Sequence, residues 1–215
     1  MSETEPDADV EADAVEFYAD YVCPFCYLGR RSLERYRESR EDPLEIEWRP
    51  FDLRRGKRRP DGSIDHEADD GKDEEYYEAA RQNVRRLQEE YGVEMSQELA
   101  IEVDSLPAQR ASWYVAREHP ERWLDFDEAI FDALWRDDRD IGDPDVLADL
   151  AEDVGLPPAE IRDALEDEAV RAELEERFAD AQRKGVTGVP TFVYEGYAAR
   201  GAVPPEHLER LVEGS

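Results

Sequence analysis

The chain has two cysteines, Cys23 and Cys26, in the run Cys23-Pro24-Phe25-Cys26, where a β-prone stretch hands over to a helical pattern. The i, i+3 spacing puts both sulfurs on one helical face, close enough to bridge. Cys23 falls at the N-cap and Pro24 at the first helical position. Unpaired backbone N–H groups and the positive end of the helix dipole gather there. Both favour a thiolate at Cys23, as helix N-termini generally do. Cys26, one turn inside, is expected to be more buried and less reactive. Such a pair can do disulfide exchange: Cys23 attacks a partner disulfide and Cys26 resolves the mixed disulfide. Other uses of two cysteines fit less well. A structural disulfide closing so short a loop gains little entropy. A zinc site needs four ligands, and His66, His119 and His207 are scattered, so no metal is expected. Two unrelated core cysteines would not need this strand-to-helix placement.

A second candidate is the run Gly185-Val186-Thr187-Gly188-Val189-Pro190-Thr191. Pro190 cannot donate to a β-ladder and sits best at a strand edge. A cis Val189-Pro190 bond would leave the Val189 backbone open to an extended substrate. Cis X–Pro is a minority state of about 5–6%, so the residues alone leave the isomer open. Asp20, just before the cysteines, can move a proton on or off a thiol; the competing reading is a solvated loop carboxylate. Tyr21, Phe25 and Tyr27 flank the cysteines as an apolar rim for unfolded polypeptide, with packing as the other use of Tyr21. The basic run Arg54-Arg55-Gly56-Lys57-Arg58-Arg59 attracts acidic substrates or pairs with neighbouring acids. Trp113, Trp123, Phe126 and Trp135 fit buried helical faces.

These residues need elements to position them. Ala14 to Ala19 reads as a strand, Pro24 to about Arg40 as a helix, and Leu44 to Phe51 as a half-buried strand. A strand, helix, strand order is right-handed by default. Asp52 to Lys72 reads as a loop. Helical signals then run through Glu74–Tyr91, Leu106–Glu118, Arg122–Trp135, Asp145–Val154, Pro158–Leu165 and Ala169–Lys184. Pro190 to Tyr194 and Tyr197 to Arg200 read as strands joined at Glu195-Gly196, and Pro204 to Val212 as a closing helix. Two terminal strands cannot stand alone, so they join the sheet begun at the N-terminus. The expectation is one α/β domain, 14–55 and 185–215, interrupted by an all-helical insertion over 56–184. Residues 1–13 read as a disordered acidic tail without a secretory signal.

Asp and Glu outnumber Lys and Arg by 57 to 27, a formal net charge of −30, and lysine occurs only at Lys57, Lys72 and Lys184. Nucleic acid, which needs a basic footprint, is excluded as the default partner. So is docking on an anionic membrane, and no run approaches the ~20 apolar residues of a bilayer span. Self-repulsion on this scale destabilises a compact fold in dilute salt. At 1 M salt the Debye length shrinks to about 3 Å and the repulsion largely disappears. The composition resembles that of cytoplasmic proteins of extreme halophiles.

The runs D-Y-V-C-P-F-C-Y-L-G at 20–29, W-R-P-F at 48–51, G-V-P-T-F-V at 188–193 and G-Y-A-A-R-G-A-V-P-P-E-H-L at 196–208 resemble DsbA-like thiol–disulfide oxidoreductases, FrnE-type branch. The resemblance implies a thioredoxin-like fold interrupted by an all-helical insertion domain. It implies Cys23 as nucleophile, Cys26 as resolving thiol and Pro190 as the cis-proline opposite them. Partners would be disulfide- or thiol-containing proteins or low-molecular-weight thiols, in the cytoplasm. The dithiol would be the redox group, with no separate cofactor and glutathione as a candidate co-substrate. Two departures matter. Phe25 stands where DsbA has histidine, so a strongly oxidising potential does not carry over. In Asp104-Ser105-Leu106-Pro107-Ala108-Gln109-Arg110, Gln109 stands where FrnE-type chains often have histidine. The alternative is a glutathione-dependent isomerase or transferase, of the hydroxychromene-carboxylate isomerase or kappa class. Those typically have serine at the nucleophile position.

Overall fold

In the computed structural model, residues 13–59, 62–65, 67–69 and 71–214 are described. Of the acidic segment 1–13, residues 1–12 lie outside them and Asp13 opens the first strand. That strand, β1 (Asp13–Ala19), is central because Val15, Phe17 and Ala19 are fully buried and its other-face Tyr18 is nearly so. Glu16, on the same face as Tyr18, is held by Arg49 at 2.6 Å and Lys184 at 3.2 Å. β2 (Leu44–Pro50) runs parallel to it, with Phe17 opposite Trp48. On its other side β3 (Thr191–Tyr194) runs antiparallel, with Phe17 opposite Phe192 and the two rings stacked at 5.0 Å. β4 (Tyr197–Arg200) pairs with β3, giving the order β2-β1-β3-β4. The two ends of the chain therefore share one sheet in an α/β fold.

Helix α1 (Pro24–Ser39) joins β1 to β2, and α2 (Glu74–Tyr91), α3 (Leu106–Glu118), α4 (Pro120–Trp135), α5 (Pro144–Asp153), α6 (Pro158–Glu166) and α7 (Glu168–Arg183) lie between β2 and β3. Helix α8 (Pro205–Glu213) closes the chain and packs on α1. Their limits follow local chemistry. Asp73 caps α2 by accepting from the Tyr76 N–H, and Gly92 ends it in the left-handed conformation at φ 58°. Asp143 and Asp167 cap α5 and α7 in the same way as Asp73. The stretch between β2 and α2 is a loop, as expected, and contains a 3₁₀ turn at Arg55–Lys57 and a bridge between Arg58 and Ile64. Order there comes from Arg58, whose guanidinium joins Asp52 at 2.6 Å to Asp104 at 2.8 Å. Charge in that stretch builds structure instead of preventing it.

The main apolar cluster runs unbroken from Val15, Phe17 and Phe192 in the sheet through Trp48 and Tyr21 to Trp123, Phe126, Ile130 and Trp135, then on to Leu147 and Ile161. The inserted helices and the sheet thus share a core. A smaller cluster, Leu28 with Val84, Leu87 and Tyr91, seats α2 on α1. Trp123, Phe126 and Trp135 are core residues, as expected. Trp113 is only half-buried and faces Arg177, whose guanidinium lies 5.4 Å from the ring centroid. Among the described residues no helix is long and apolar enough to cross a membrane.

One glycine controls how close α1 comes to the sheet. A Cβ on Gly29 would stand 3.1 Å from Phe192 Cζ and 3.2 Å from Pro190 Cγ. Gly29→Ala should gain about 1 kcal/mol of helix propensity and lose about 1–3 kcal/mol to overpacking. Denaturant titration at high salt is expected to show a net loss; a raised midpoint would contradict this packing.

Candidate active site

The chain leaves β1, turns at Asp20 and delivers Cys23 to the start of α1. The Cys23 N–H donates to the Asp20 carbonyl at 3.0 Å, and the Cys23 carbonyl accepts from the N–H groups of Cys26 at 3.0 Å and Tyr27 at 3.3 Å. Cys23 is the N-cap, extended at φ −92° and ψ 113°, and no side chain caps the helix. The positive helix end is left to the Cys23 sulfur. Both thiols are free, Cys23 5% exposed and Cys26 0%. Burial pushes the Cys26 thiol well above its ordinary pKa, and its hydrogen bond to Cys23 pushes the same way. Cys26 is thus the buried, proton-bearing partner that its position in the helix implied.

Across from Cys23 lies the loop before β3. Val189-Pro190 is a cis peptide bond, and the Cys23 sulfur stands 3.7 Å from the Val189 carbonyl oxygen. Cys23, Phe25 and Val189 line one cavity of about 610 Å³, whose other walls include Leu53, Arg54, Lys57, Lys72, Tyr76 and Ile101. The cavity is the route to a sulfur that is otherwise enclosed. Phe25 and Val189 are half-buried, and Pro190 is buried behind them.

Tyr21 is not part of this rim. It is fully buried, its hydroxyl 2.7 Å from Ser112 Oγ and 2.9 Å from Asp127 Oδ1. Asp127 also accepts from Arg30 Nε at 2.9 Å, and Trp135 Nε1 donates to the Tyr21 carbonyl at 2.9 Å. The turn at Asp20 aims Tyr21 inward at α3 and α4, so it anchors the strand-to-helix junction. Sequence reading missed Arg30, Ser112 and Asp127. Only Arg30 gave a signal, a cation on the same helical face as Cys26 and Leu33.

Asp20 is fully buried, which overturns the solvated-carboxylate reading. One carboxylate oxygen accepts from the Val22 N–H at 3.3 Å and the other from the Leu53 N–H at 2.8 Å. Burial raises its pKa to about 6; hydrogen bonds from Ser105 and Leu53 oppose the rise, and the Asp52 charge adds to it. Its negative charge also helps keep the proton on Cys26. The basic run is largely committed elsewhere. Arg55 pairs with Glu175 and Arg59 with Asp65, while Arg54 donates to the carbonyls of Ala100 and Ile101.

A profile of the DSBA-like thioredoxin domain matches residues 14–213. The chain belongs to that family. This DSBA-like chain is 28% identical over 202 residues to the Bacillus subtilis (strain 168) protein YwbO, spanning 92% of itself and 94% of YwbO. A solved structure from Nitrosomonas europaea superposes with a TM-score of 0.75 at 20% identity, covering 95% of this chain and 97% of the other. A 2-hydroxychromene-2-carboxylate isomerase does so with a TM-score of 0.73 at 19% identity, covering 91% and 92%. Both superpositions extend over the DSBA-like sheet and its inserted helices, a likeness of fold.

Within the DSBA-like chain Asp20 carries a pH-dependent cost. Its folded pKa of about 6 lies above the ordinary carboxylate value of about 3.9. Between the two the folded state binds more protons, so this group's contribution to stability falls as pH rises through that window. Asp20→Asn removes the cost. Relative to the parent, the variant should gain about 2–3 kcal/mol between about pH 4 and 7. Denaturation curves at both ends of the window check this, and a constant difference would show that Asp20 does not titrate there.

Proposed function

We propose that the chain is a thiol–disulfide oxidoreductase of the FrnE-type branch that uses Cys23 and Cys26 on protein or small disulfides. The observation carrying this reading is the Cys23 sulfur at the uncapped N-terminus of α1, 3.7 Å from the Val189 carbonyl oxygen and lining the same cavity as Val189. The Cys23 thiolate attacks one sulfur of a substrate disulfide; that S–S bond breaks and the other sulfur leaves as a thiolate that takes up a proton. Cys26 then gives its proton to Asp20 and attacks the Cys23 sulfur. The mixed disulfide breaks, Cys23–Cys26 forms, and the second substrate thiolate is released and protonated. The protein dithiol loses two electrons and the substrate disulfide gains them. Run backwards, the same steps oxidise a substrate dithiol.

Val189 supplies a backbone edge for an extended segment, and Phe25 an apolar contact beside the reacting sulfur. No further cofactor enters these steps. The charge of −30 supports a setting of concentrated salt, and dithiol chemistry without a structural disulfide supports the cytoplasm.

At high salt, Cys23→Ser should reduce insulin disulfides no faster than background, and turnover at the parent rate would sink the assignment. Cys26→Ser should accumulate mixed disulfides through Cys23, visible on non-reducing gels. Saturable glutathione binding that survives Cys26→Ser, with no disulfide exchange, would favour the isomerase or transferase reading.

A further inference from the structure

Part of the wall of the cavity that reaches Cys23 comes from two segments outside the α-helices and the sheet. One follows β2 and carries Leu53 and Arg54; the other joins α2 to α3 and carries Ala100 and Ile101. Carbonyls outside regular structure still need partners where they are covered. Here one side chain supplies them. The half-buried Arg54 guanidinium donates through Nη2 to the Ala100 carbonyl and through Nη1 to the Ile101 carbonyl. Arg54 is also fixed at its root. Its N–H donates to Asp52 Oδ1 at 3.0 Å, its carbonyl accepts from the Lys57 N–H at 2.8 Å, and the neighbouring Leu53 N–H donates to Asp20 at 2.8 Å. A planar fork held at its base and bonded at both tips ties one segment to the other. Arg58 and Asp104 join the same two segments again at 2.8 Å.

The tied walls enclose about 610 Å³, within the roughly 300–1,000 Å³ of pockets that take up whole small molecules. Cys23, only 5% exposed, is one of the walls. We propose that Arg54 is a specificity-determining residue: by holding Ala100 and Ile101 against its own segment it favours a low-molecular-weight disulfide over a disulfide on a protein surface. The inference rests on the reading of Cys23 as the attacking thiol. A small disulfide enters the cavity whole. A protein disulfide arrives with the surface around it, which must stay outside while its sulfur reaches Cys23. It has to part Arg54 from the two carbonyls first, and that cost falls on its rate alone. Lysine cannot do the same work, because a single ammonium lacks the fork that spans both carbonyls.

Mixed disulfides of thionitrobenzoate present one chemistry on two carriers, free cysteine and a surface cysteine of a folded protein. Reduced full-length protein is mixed with each at high salt in a single turnover. Cys23 attacks the carrier's sulfur, the bond to thionitrobenzoate breaks, and the coloured thiolate leaves. Cys26 then displaces the carrier thiol, so the protein dithiol gives two electrons to the probe. Dithiothreitol, which has no cavity, measures the intrinsic difference between the carriers. Relative to it, the parent should prefer the cysteine carrier by about tenfold, the weight of one hydrogen bond from a charged donor. Arg54→Ala should lose most of that preference by speeding up on the protein carrier, and Arg54→Lys should lie between. A parent no more selective than dithiothreitol overturns the proposal, whether or not the variants fold. Undiminished selectivity in folded Arg54→Ala overturns it too. Colour released at the parent rate by Cys23→Ser would instead sink the dithiol reading, and this inference with it.

Discussion

The dithiol is held by a buried ion pair. Arg30 lies on α1 and Asp127 on α4; their side chains are 4% and 0% exposed and meet at 2.9 Å. Arg30 also reaches Glu34 at 2.5 Å. Burial by itself would lower the Arg30 pKa, but Asp127 and Glu34 outweigh it and hold the guanidinium charged. Asp127 shares its second oxygen with the Tyr21 hydroxyl, so one carboxylate grips both the helix that carries the cysteines and the turn that precedes them. Removing one partner of such a pair costs about 3–5 kcal/mol, because the other is left buried and uncompensated. The contact joins the sheet's first helix to the inserted helices. The turn at the cysteines is thus packed against the helices that lie between β2 and β3.

The acidity of the chain plays no comparable part. Most ion pairs sit on the surface, such as Arg86 with Glu90 and Arg162 with Asp145. Exposed pairs of this kind are worth about 0–1 kcal/mol each and are screened in salt. Around the cavity the balance differs from that of the whole chain. Its described lining includes the cations Arg54, Lys57 and Lys72 against the carboxylates Asp69 and Glu102. Two of the chain's three lysines therefore line the cavity that reaches Cys23. A uniformly acidic surface and a locally cationic approach to Cys23 coexist because fields decay over about 8–10 Å at moderate salt, and over less in brine.

Local rules recovered the elements wherever a residue has a local job. Asp73 and Gly92 bound α2, Pro24 starts α1, and the alternation in Leu44–Pro50 marks β2. The stretch after β2 is the loop its composition predicts, but the order within it could not be read, because it comes from Arg58 reaching Asp104, a partner distant in sequence. Tyr21 was misplaced for a related reason. Adjacency to Cys23 says nothing about direction, and the turn at Asp20 sends Tyr21 to α4 while Phe25 stays at the cavity. Asp20 itself was legible as a nearby carboxylate, but its burial depends on the chain after β2, whose Leu53 N–H donates to it. Charge pairs and hydrogen bonds between the helices that follow β2 and the turn at the cysteines leave no periodic trace, so that support was invisible in the residues.

The paired shifts of Cys26 and Asp20 imply an order of events in the proposed reaction. Burial holds the proton on Cys26, and the hydrogen bond and charge of Cys23 add to that hold. Asp20, raised only to about 6, is ionised at neutral pH but too weak a base to strip a thiol so protected. When Cys23 enters a mixed disulfide, its sulfur loses its negative charge and accepts hydrogen bonds only weakly. Two of the contributions that kept the proton on Cys26 then fall away together. Burial and the Asp20 charge remain, and the latter is neutralised by the transfer itself. The resolving thiol is therefore released by the chemical change at its neighbour, with no movement of α1 required. A carboxylate whose two oxygens are held by the Val22 and Leu53 N–H groups keeps its place through such a cycle, which is what a proton acceptor used once per turnover must do.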